Sequence, residues 1–356
     1  MQMLKRKLIT WMKRYFHISP VPLTVLGPGT MDQQSSKRFI PNHPAPQPYY
    51  SYNETEKAWE QVDIKPPSEM HTENGITRLS LFSWNIDFRI PYARERMTAA
   101  LDHLESLTRK LPSTTAPVIY LQECIAQDLK TIGGNPWVKE KFYFTDINTS
   151  NWANHYGTIT LVDRRLSITS CFRVHYEKTR MGRDAFFVDV LLNGNSSGRA
   201  KSIRLCNSHL DSLAFEPPFR PAQVQIMAKY MREDGVDGAL AAGDFNAIQP
   251  LDKTLHLDNG LKDAYLENGG VEDTDEGYTW GQQAATEERN KYGLSRMDKV
   301  YFTGDPKLLH FQRFGADVRL NEESLELECE HLVSYGYEKP WITDHLGVVA
   351  EVEVVD

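Results

Sequence analysis

Asp244 and Asn246, in Gly243-Asp244-Phe245-Asn246, close a short apolar run, Ala239-Leu240-Ala241-Ala242, that reads as a buried strand. Side chains two apart on a strand project the same way, so a carboxylate and a neutral amide stand together. One could activate a water while the other holds an oxyanion. Other apolar segments end in the same manner: Leu79–Trp84 in Asn85 and Asp87, Val118–Leu121 in Gln122 and Glu123, Ile203–Cys206 in His209. Asp298 lies in Arg296-Met297-Asp298-Lys299, and Asp344-His345 interrupts the apolar Trp341-Ile342 and Leu346–Ala350. Ligand sites gather at the ends of strands, which makes these clusters candidates for one site.

The chemistry implied is metal-assisted. Carboxylates with few histidines and no cysteine select a hard ion, Mg²⁺ or Mn²⁺ rather than Zn²⁺. Two histidines beside aspartates supply imidazoles that a carboxylate can orient. No GxSxG elbow and no GxxxxGK[ST] loop occurs, which excludes the serine hydrolase and P-loop readings. A metal, an oriented water, a carboxylate base and cationic imidazoles fit the hydrolysis of a phosphate ester.

The elements that must position these groups alternate. Helical spacing runs through Met97, Leu101, Leu104 and Leu111 in residues 92–111 and stops at Pro112. Strands are expected near 141–147, 157–163, 167–176 and 184–192, a helix over 219–232, and strands at 239–246, 297–303, 310–318 and 348–355. Strand–helix–strand units interrupted by a run of strands suit two packed sheets with helices outside.

At 356 residues and 40% apolar, the chain is long enough for one large domain with tails. Residues 1–31 hold no Asp or Glu but carry Lys5, Arg6, Lys7, Lys13 and Arg14; the spacing of Leu8, Trp11, Met12, Tyr15 and Phe16 suits a basic amphipathic helix, a transit segment or a membrane-surface anchor over residues 4–16. Residues 32–75 are rich in Pro and Ser and read as a linker, part of it packed on the domain through Tyr49, Tyr50, Tyr52 and Trp59. The domain proper is expected over 76–356. A net charge of −8 argues against a protein that coats nucleic acid through a basic surface. Cys124, Cys171, Cys206 and Cys329 are widely spaced and read as reduced thiols, so secretion is not expected.

Taken in order, Ser83-Trp84-Asn85-Ile86-Asp87, Leu121-Gln122-Glu123, Ser208-His209-Leu210, Gly243-Asp244-Phe245-Asn246, Arg296-Met297-Asp298 and Thr343-Asp344-His345 resemble the motifs of the endonuclease/exonuclease/phosphatase superfamily. Within it, Trp-Asn-Ile-Asp followed by His-Leu-Asp-Ser is most similar to the 5′-tyrosyl-DNA phosphodiesterases of type 2. The resemblance implies a DNase I-like, four-layer α/β sandwich: two packed mixed β-sheets flanked by helices. It implies Glu123 as the principal Mg²⁺ ligand (Mn²⁺ substituting), with Asn85 and Asp87 completing the metal and phosphate site. Asp244 would orient or deprotonate the water and Asn246 hold the phosphate. His209 and His345 would stabilise charge, with Asp298 or Asp344 fixing an imidazole tautomer. Ser212, Arg220 and Trp280 would touch substrate, Trp280 as a flat wall for the first base. Phe88, Ala214 and Leu346 stand where the family has glycine, arginine and tryptophan; these departures fall at the substrate-facing rim.

The partner so implied is a DNA 5′ end carrying a tyrosyl adduct, preferably single-stranded, met by a monomer in the nucleus or cytoplasm, with the basic N-terminus leaving the mitochondrion open. The alternatives are a lipid or small-molecule phosphate, or an abasic site in DNA. Because residues 1–75 carry none of the motifs, their deletion is expected to leave a folded, active enzyme.

Overall fold

Two parallel strand pairs, each bridged by a helix, lie in two different sheets, and the computed structural model builds outward from them. It describes residues 39–64, 75–193 and 200–354; the basic segment 1–31 lies outside these. In chain order the strands are β1 (Pro44–Pro46), β2 (Tyr49–Asn53), β3 (Ala58–Val62), β4 (Arg78–Asn85), β5 (Thr115–Ile125), β6 (Phe142–Phe144), β7 (Tyr156–Asp163) and β8 (Ser167–His175). Then come β9 (Asp184–Asn193), β10 (Ala200–Ser208), β11 (Gly238–Asp244), β12 (Lys262–Asp263), β13 (Asp298–Gly304), β14 (Pro306–Phe314) and β15 (Gly347–Val354). One sheet has the order β1-β8-β9-β10-β11-β13-β12 and the other β14-β15-β4-β5-β7-β6-β2-β3. Only β4–β5 and β10–β11 pair in parallel among these strands. Helix Ala93–Thr108 makes the first crossover and helix Arg220–Met231 the second.

Alternation sorts the side chains into layers. Leu79 and Leu81 of β4, Val118 and Tyr120 of β5, Ile203 and Leu205 of β10, Leu240 and Ala242 of β11, and Val300 and Phe302 of β13 fill the core between the sheets. Their neighbours turn outward. Phe82, Trp84, Ile119 and Leu121 pack under Met97, Leu101 and Leu104 of the first helix. Cys206, Ala239 and Ala241 pack under Val224, Met227 and Met231 of the second. Helix, sheet, sheet, helix are the four layers. All four cysteines are buried and unpaired.

Continuing the inward stripe past the apolar core reaches Asn85, Asn207, His209, Asp244 and Asp298. The parity is the same in each strand: 79-81-83-85, 203-205-207-209, 240-242-244 and 298-300-302. The site is therefore the polar mouth of the between-sheet core. Beneath it lies a layer of buried amides, in which Gln122 Nε2 donates to Ser83 Oγ at 3.1 Å and to Asn207 Oδ1 at 2.9 Å.

The Pro-rich stretch expected to be a linker is structural between 44 and 62. β1 pairs with β8, and β2 and β3 extend the other sheet beyond β6. Proline is tolerated there because β1 is an edge strand of three residues. Tyr49 joins the central core, Tyr52 is buried, and Trp59 Nε1 donates to Gly133 O at 2.9 Å. Composition hid these strands because aromatic residues, not their prolines, decide the packing. The expectation for a chain starting after residue 75 is accordingly reversed. Deleting residues 1–64 should lower Tm by about 10 °C or more, since two or three buried aromatic side chains at about 1.5–3 kcal/mol each are lost. A thermal melt of the truncated chain checks it, and an unchanged Tm would make β1–β3 ornamental.

Candidate active site

Gly243 brings β10 and β11 together at the mouth. Its φ is 153°, and a Cβ there would stand 1.7 Å from Ser208 O, so only glycine allows the approach. Asp244 then enters the cleft buried. Its Oδ2 accepts from Asn85 Nδ2 at 2.9 Å and lies 3.3 Å from His209 Nε2 and 3.7 Å from His345 Nε2. Its Oδ1 accepts from Asn246 N at 2.8 Å. Burial alone would raise this carboxyl, but the two imidazoles outweigh it and hold Asp244 well below the usual carboxylate range.

Glu123 reaches the same place by breaking the alternation. Leu121 and Cys124 both pack outward, three residues apart, where the β5–β7 register shifts. Glu123 sits in that bulge at φ 58° and is turned inward, half-buried. Its Oε1 lies 3.4 Å from Asn85 Nδ2 and 3.8 Å from His209 Nε2, and Oε2 accepts from Phe88 N at 3.2 Å.

One ligand atom each of Glu123, Asp244 and His209 lie within 4.8 Å of one another. No Lys or Arg pairs with either carboxylate among the described residues, so two acidic oxygen donors converge without a side-chain cation of that kind between them. A hard divalent cation fits this donor set, and Glu123 and Asp244 are the residues that would hold it through oxygen. The expected ligands Asn85 and Asp87 do not join them. Asn85 Oδ1 accepts from Asp87 N at 2.9 Å, which fixes the amide with its nitrogen, a donor, toward the carboxylates. Asp87 is taken by Arg89: Nε donates to its Oδ1 at 2.9 Å and Nη2 to its Oδ2 at 3.1 Å.

On the far wall, His345 Nδ1 lies 2.8 Å from Asp298 Oδ2. Burial would depress this imidazole, yet Asp298, Asp344 and Asp244 around it raise its pKa well above the ordinary histidine value. Burial raises Asp298 itself. Asp344 makes no hydrogen bond to the imidazole, its Oδ1 lying 3.8 Å from His345 Nε2, and its Oδ2 accepts from Trp280 Nε1 at 2.7 Å and Arg89 Nη2 at 3.3 Å. Burial, helped by the charge of Asp87, pushes Asp344 up to about 7.

The expected substrate contacts fare differently. Trp280 is 7% exposed and spends its indole N–H on Asp344, so it buttresses the site and offers no stacking wall. Arg220 is buried and saturated by Asp252, Gln249 Oε1 and the carbonyls of Asp211 and Leu213, leaving no N–H for a phosphate. Ser212 is half-buried and makes no hydrogen bond to the Asp244 cluster. Asn246 gives one side-chain N–H to Leu210 O at 3.0 Å and keeps the other.

Residues 82–345 match the Endonuclease/Exonuclease/phosphatase family. The chain belongs to that family. Its members are hydrolases of phosphate esters and commonly use a divalent metal. No curated protein sequence matches it. Among solved structures, truncated TDP2 of Caenorhabditis elegans has a TM-score of 0.57 at 21% identity, covering 78% of this chain and 98% of that one. A D. rerio TDP2 complexed with single strand DNA product has a TM-score of 0.57 at 18% identity, covering 78% and 99%. The Bacteroides thetaiotaomicron mannosyl-6-phosphatase Bt3783 has 0.52 at 15%, covering 78% and 100%. At these identities the likeness establishes the DNase I-like fold.

Three site residues escape sequence reasoning. Arg89 bridges Asp87 and Asp344; Arg96 gives its guanidinium to the carbonyls of Ile86, Asp87, Ile90, Pro91 and Ile342, pinning both motif loops; Arg183 meets His209. No strand end or motif marks them. Arg96 shows only as a charge on an otherwise apolar helix face.

Glu123→Gln should lower turnover by roughly 100-fold or more, because it removes a ligand charge, while Asp87→Asn should instead lower stability. Steady-state rates with and without excess EDTA, beside a thermal melt, separate the two. Full activity in EDTA would refute the metal.

Proposed function

We propose that this protein is a Mg²⁺- or Mn²⁺-dependent phosphodiesterase that hydrolyses 5′-phosphotyrosyl ends of DNA, as in repair of topoisomerase adducts. The observation that carries the hydrolytic reading is the convergence of Asn85, His209 and His345 on Asp244 Oδ2 beside Glu123. A cation bound by Glu123 and Asp244 would supply charge neutralisation at the phosphate and a more acidic water. Asp244 orients the attacking water. Asn246, with its spare N–H, and the two imidazoles donate to phosphate oxygens as charge grows on them. Asp298, behind His345, holds a proton on Nδ1 and steadies the imidazolium.

What supports the DNA end is the run of motifs similar to the type 2 tyrosyl-DNA phosphodiesterases and the shared fold with TDP2, one structure of which holds a single-stranded DNA product. A phenolate leaving group, with a phenol pKa near 10, departs without strong protonation, so the site needs no acid beyond its imidazoles. The protein acts as a monomer in the nucleus or cytoplasm, and the basic segment 4–16 is the place for contact with a membrane surface or a mitochondrial address.

A second reading, a lipid or small-molecule phosphate ester, is favoured by the rim. Phe88, standing where the family has glycine, has its N–H on Glu123 Oε2 at 3.2 Å and its ring stacked on Tyr156, and the net charge is −8. Comparing kcat/KM on 5′-tyrosyl, 3′-tyrosyl and abasic DNA at one salt concentration, with sphingomyelin and a sugar phosphate alongside, decides between them. Preference for the 5′-tyrosyl end is expected, and faster cleavage of the lipid or sugar ester would replace this reading. On the preferred substrate, Asp244→Asn should retain less than about a tenth of turnover, given the usual 10²–10⁴-fold value of such a group.

A further inference from the structure

Arg183 is buried, 7% exposed, immediately before β9. Its Nη1 lies 2.8 Å from His209 Nδ1 and its Nη2 3.6 Å from Met181 Sδ, while Nε is buried without a hydrogen-bond partner. The guanidinium carbon stands 5.2 Å from the centre of the Tyr156 ring. Among the described residues no carboxylate forms an ion pair with it. A buried cation without an acid is unusual, and the chain takes care to hold it. Asp211 accepts from Thr179 Oγ1 and from the backbone N–H groups of Arg180 and Met181, and Thr179 Oγ1 accepts from Arg183 N at 3.0 Å.

A guanidinium has five N–H donors and no lone pair to offer. The atom it faces must accept, so His209 Nδ1 has to keep its lone pair and the ring proton must sit on Nε2. That nitrogen points at Asp244 Oδ2 and Glu123 Oε1. His345 is built the opposite way. A carboxylate, Asp298, stands behind its Nδ1 and requires a proton there. A cation behind His209 forbids one.

We propose that Arg183 is a positioning residue that holds His209 as the neutral Nε2–H tautomer. His209 is then a fixed hydrogen-bond donor to the site through Nε2, with no lone pair there to lend to a cation. What the donor acts on rests on the phosphodiesterase reading above; the tautomer does not.

The test is the ¹⁵N spectrum of the full chain labelled in its histidine rings, with the His209 resonances assigned by their loss in His209→Gln. The expected pattern is an unprotonated, hydrogen-bonded Nδ1 and a protonated Nε2, with and without Mg²⁺. In Arg183→Met, which keeps bulk and removes the donors, that pattern should give way to mixed tautomers or a doubly protonated ring. The kcat on bis(p-nitrophenyl) phosphate should then fall about 10–100-fold, as for loss of other groups that orient active-site histidines, with KM changed less than about threefold. Arg183→Lys, which keeps a donor, should restore the tautomer signal and part of kcat. A wild-type His209 protonated on Nδ1 overturns the proposal even if Arg183→Met does not fold, and so does an Arg183→Met spectrum identical to wild type. The expected tautomer in a protein that cleaves no phosphodiester would sink the hydrolase reading and leave this one standing.

Discussion

Keeping Asp244 charged where burial would neutralise it is the constraint on which the rest of the mouth depends. Three side chains on three other segments, Asn85, His209 and His345, reach its Oδ2 within 3.7 Å, and Asn246 N holds Oδ1. Each of those groups is in turn fixed from behind. Thr343 Oγ1 donates to Asn85 O at 2.8 Å, Asp298 meets His345, and Arg183 meets His209. In a low-dielectric cleft an unpaired carboxylate is costly and a paired one is held firmly. The same surroundings that make the anion tolerable make its position exact enough to aim a water.

The backbone is bent to achieve this. Asp87 (φ 49°), Glu123 (φ 58°) and Asn246 (φ 47°) all adopt the left-handed region. For residues with a Cβ this costs about 1–3 kcal/mol each when strained, less for Asp and Asn than for Glu. At Asp87 and Asn246 the turn lets a side-chain oxygen two residues back accept the backbone N–H, Asn85 Oδ1 in one case and Asp244 Oδ1 in the other. At Glu123 the turn redirects a carboxylate that alternation would send outward. Arg96, buried among five carbonyls, and Trp84, whose Nε1 donates to His345 O at 3.1 Å, offset that cost by over-determining the loops.

Much of this was legible without coordinates. Period two along 79-81-83-85 and 240-242-244 places Asn85 and Asp244 on the inner face of their strands, and the residue types name hydrolytic, metal-assisted chemistry. The layered fold follows from the order of helical and extended segments, and the helix expected over 219–232 is there as Arg220–Met231. The polar strand ends therefore carry real information, because both the alternation and the burial they report are local properties of a sheet.

Pairings between distant segments were not legible, because they depend on which side chain wins each donor. The sequence reading puts Asp87 and Asn85 beside Glu123, the principal ligand, at the cation; only the fold sends Asp87 to Arg89 and turns the Asn85 amide nitrogen-first, leaving Glu123 with Asp244. Likewise Trp280 and Arg220 read as surface contacts until the structure buries them against Asp344 and Asp252. The strands at 44–62 hid behind their prolines. Types and spacing determined the sheet faces and the chemistry; the tertiary structure decided the partners, since a hydrogen bond or ion pair is settled by tenths of an ångström between residues far apart in the chain.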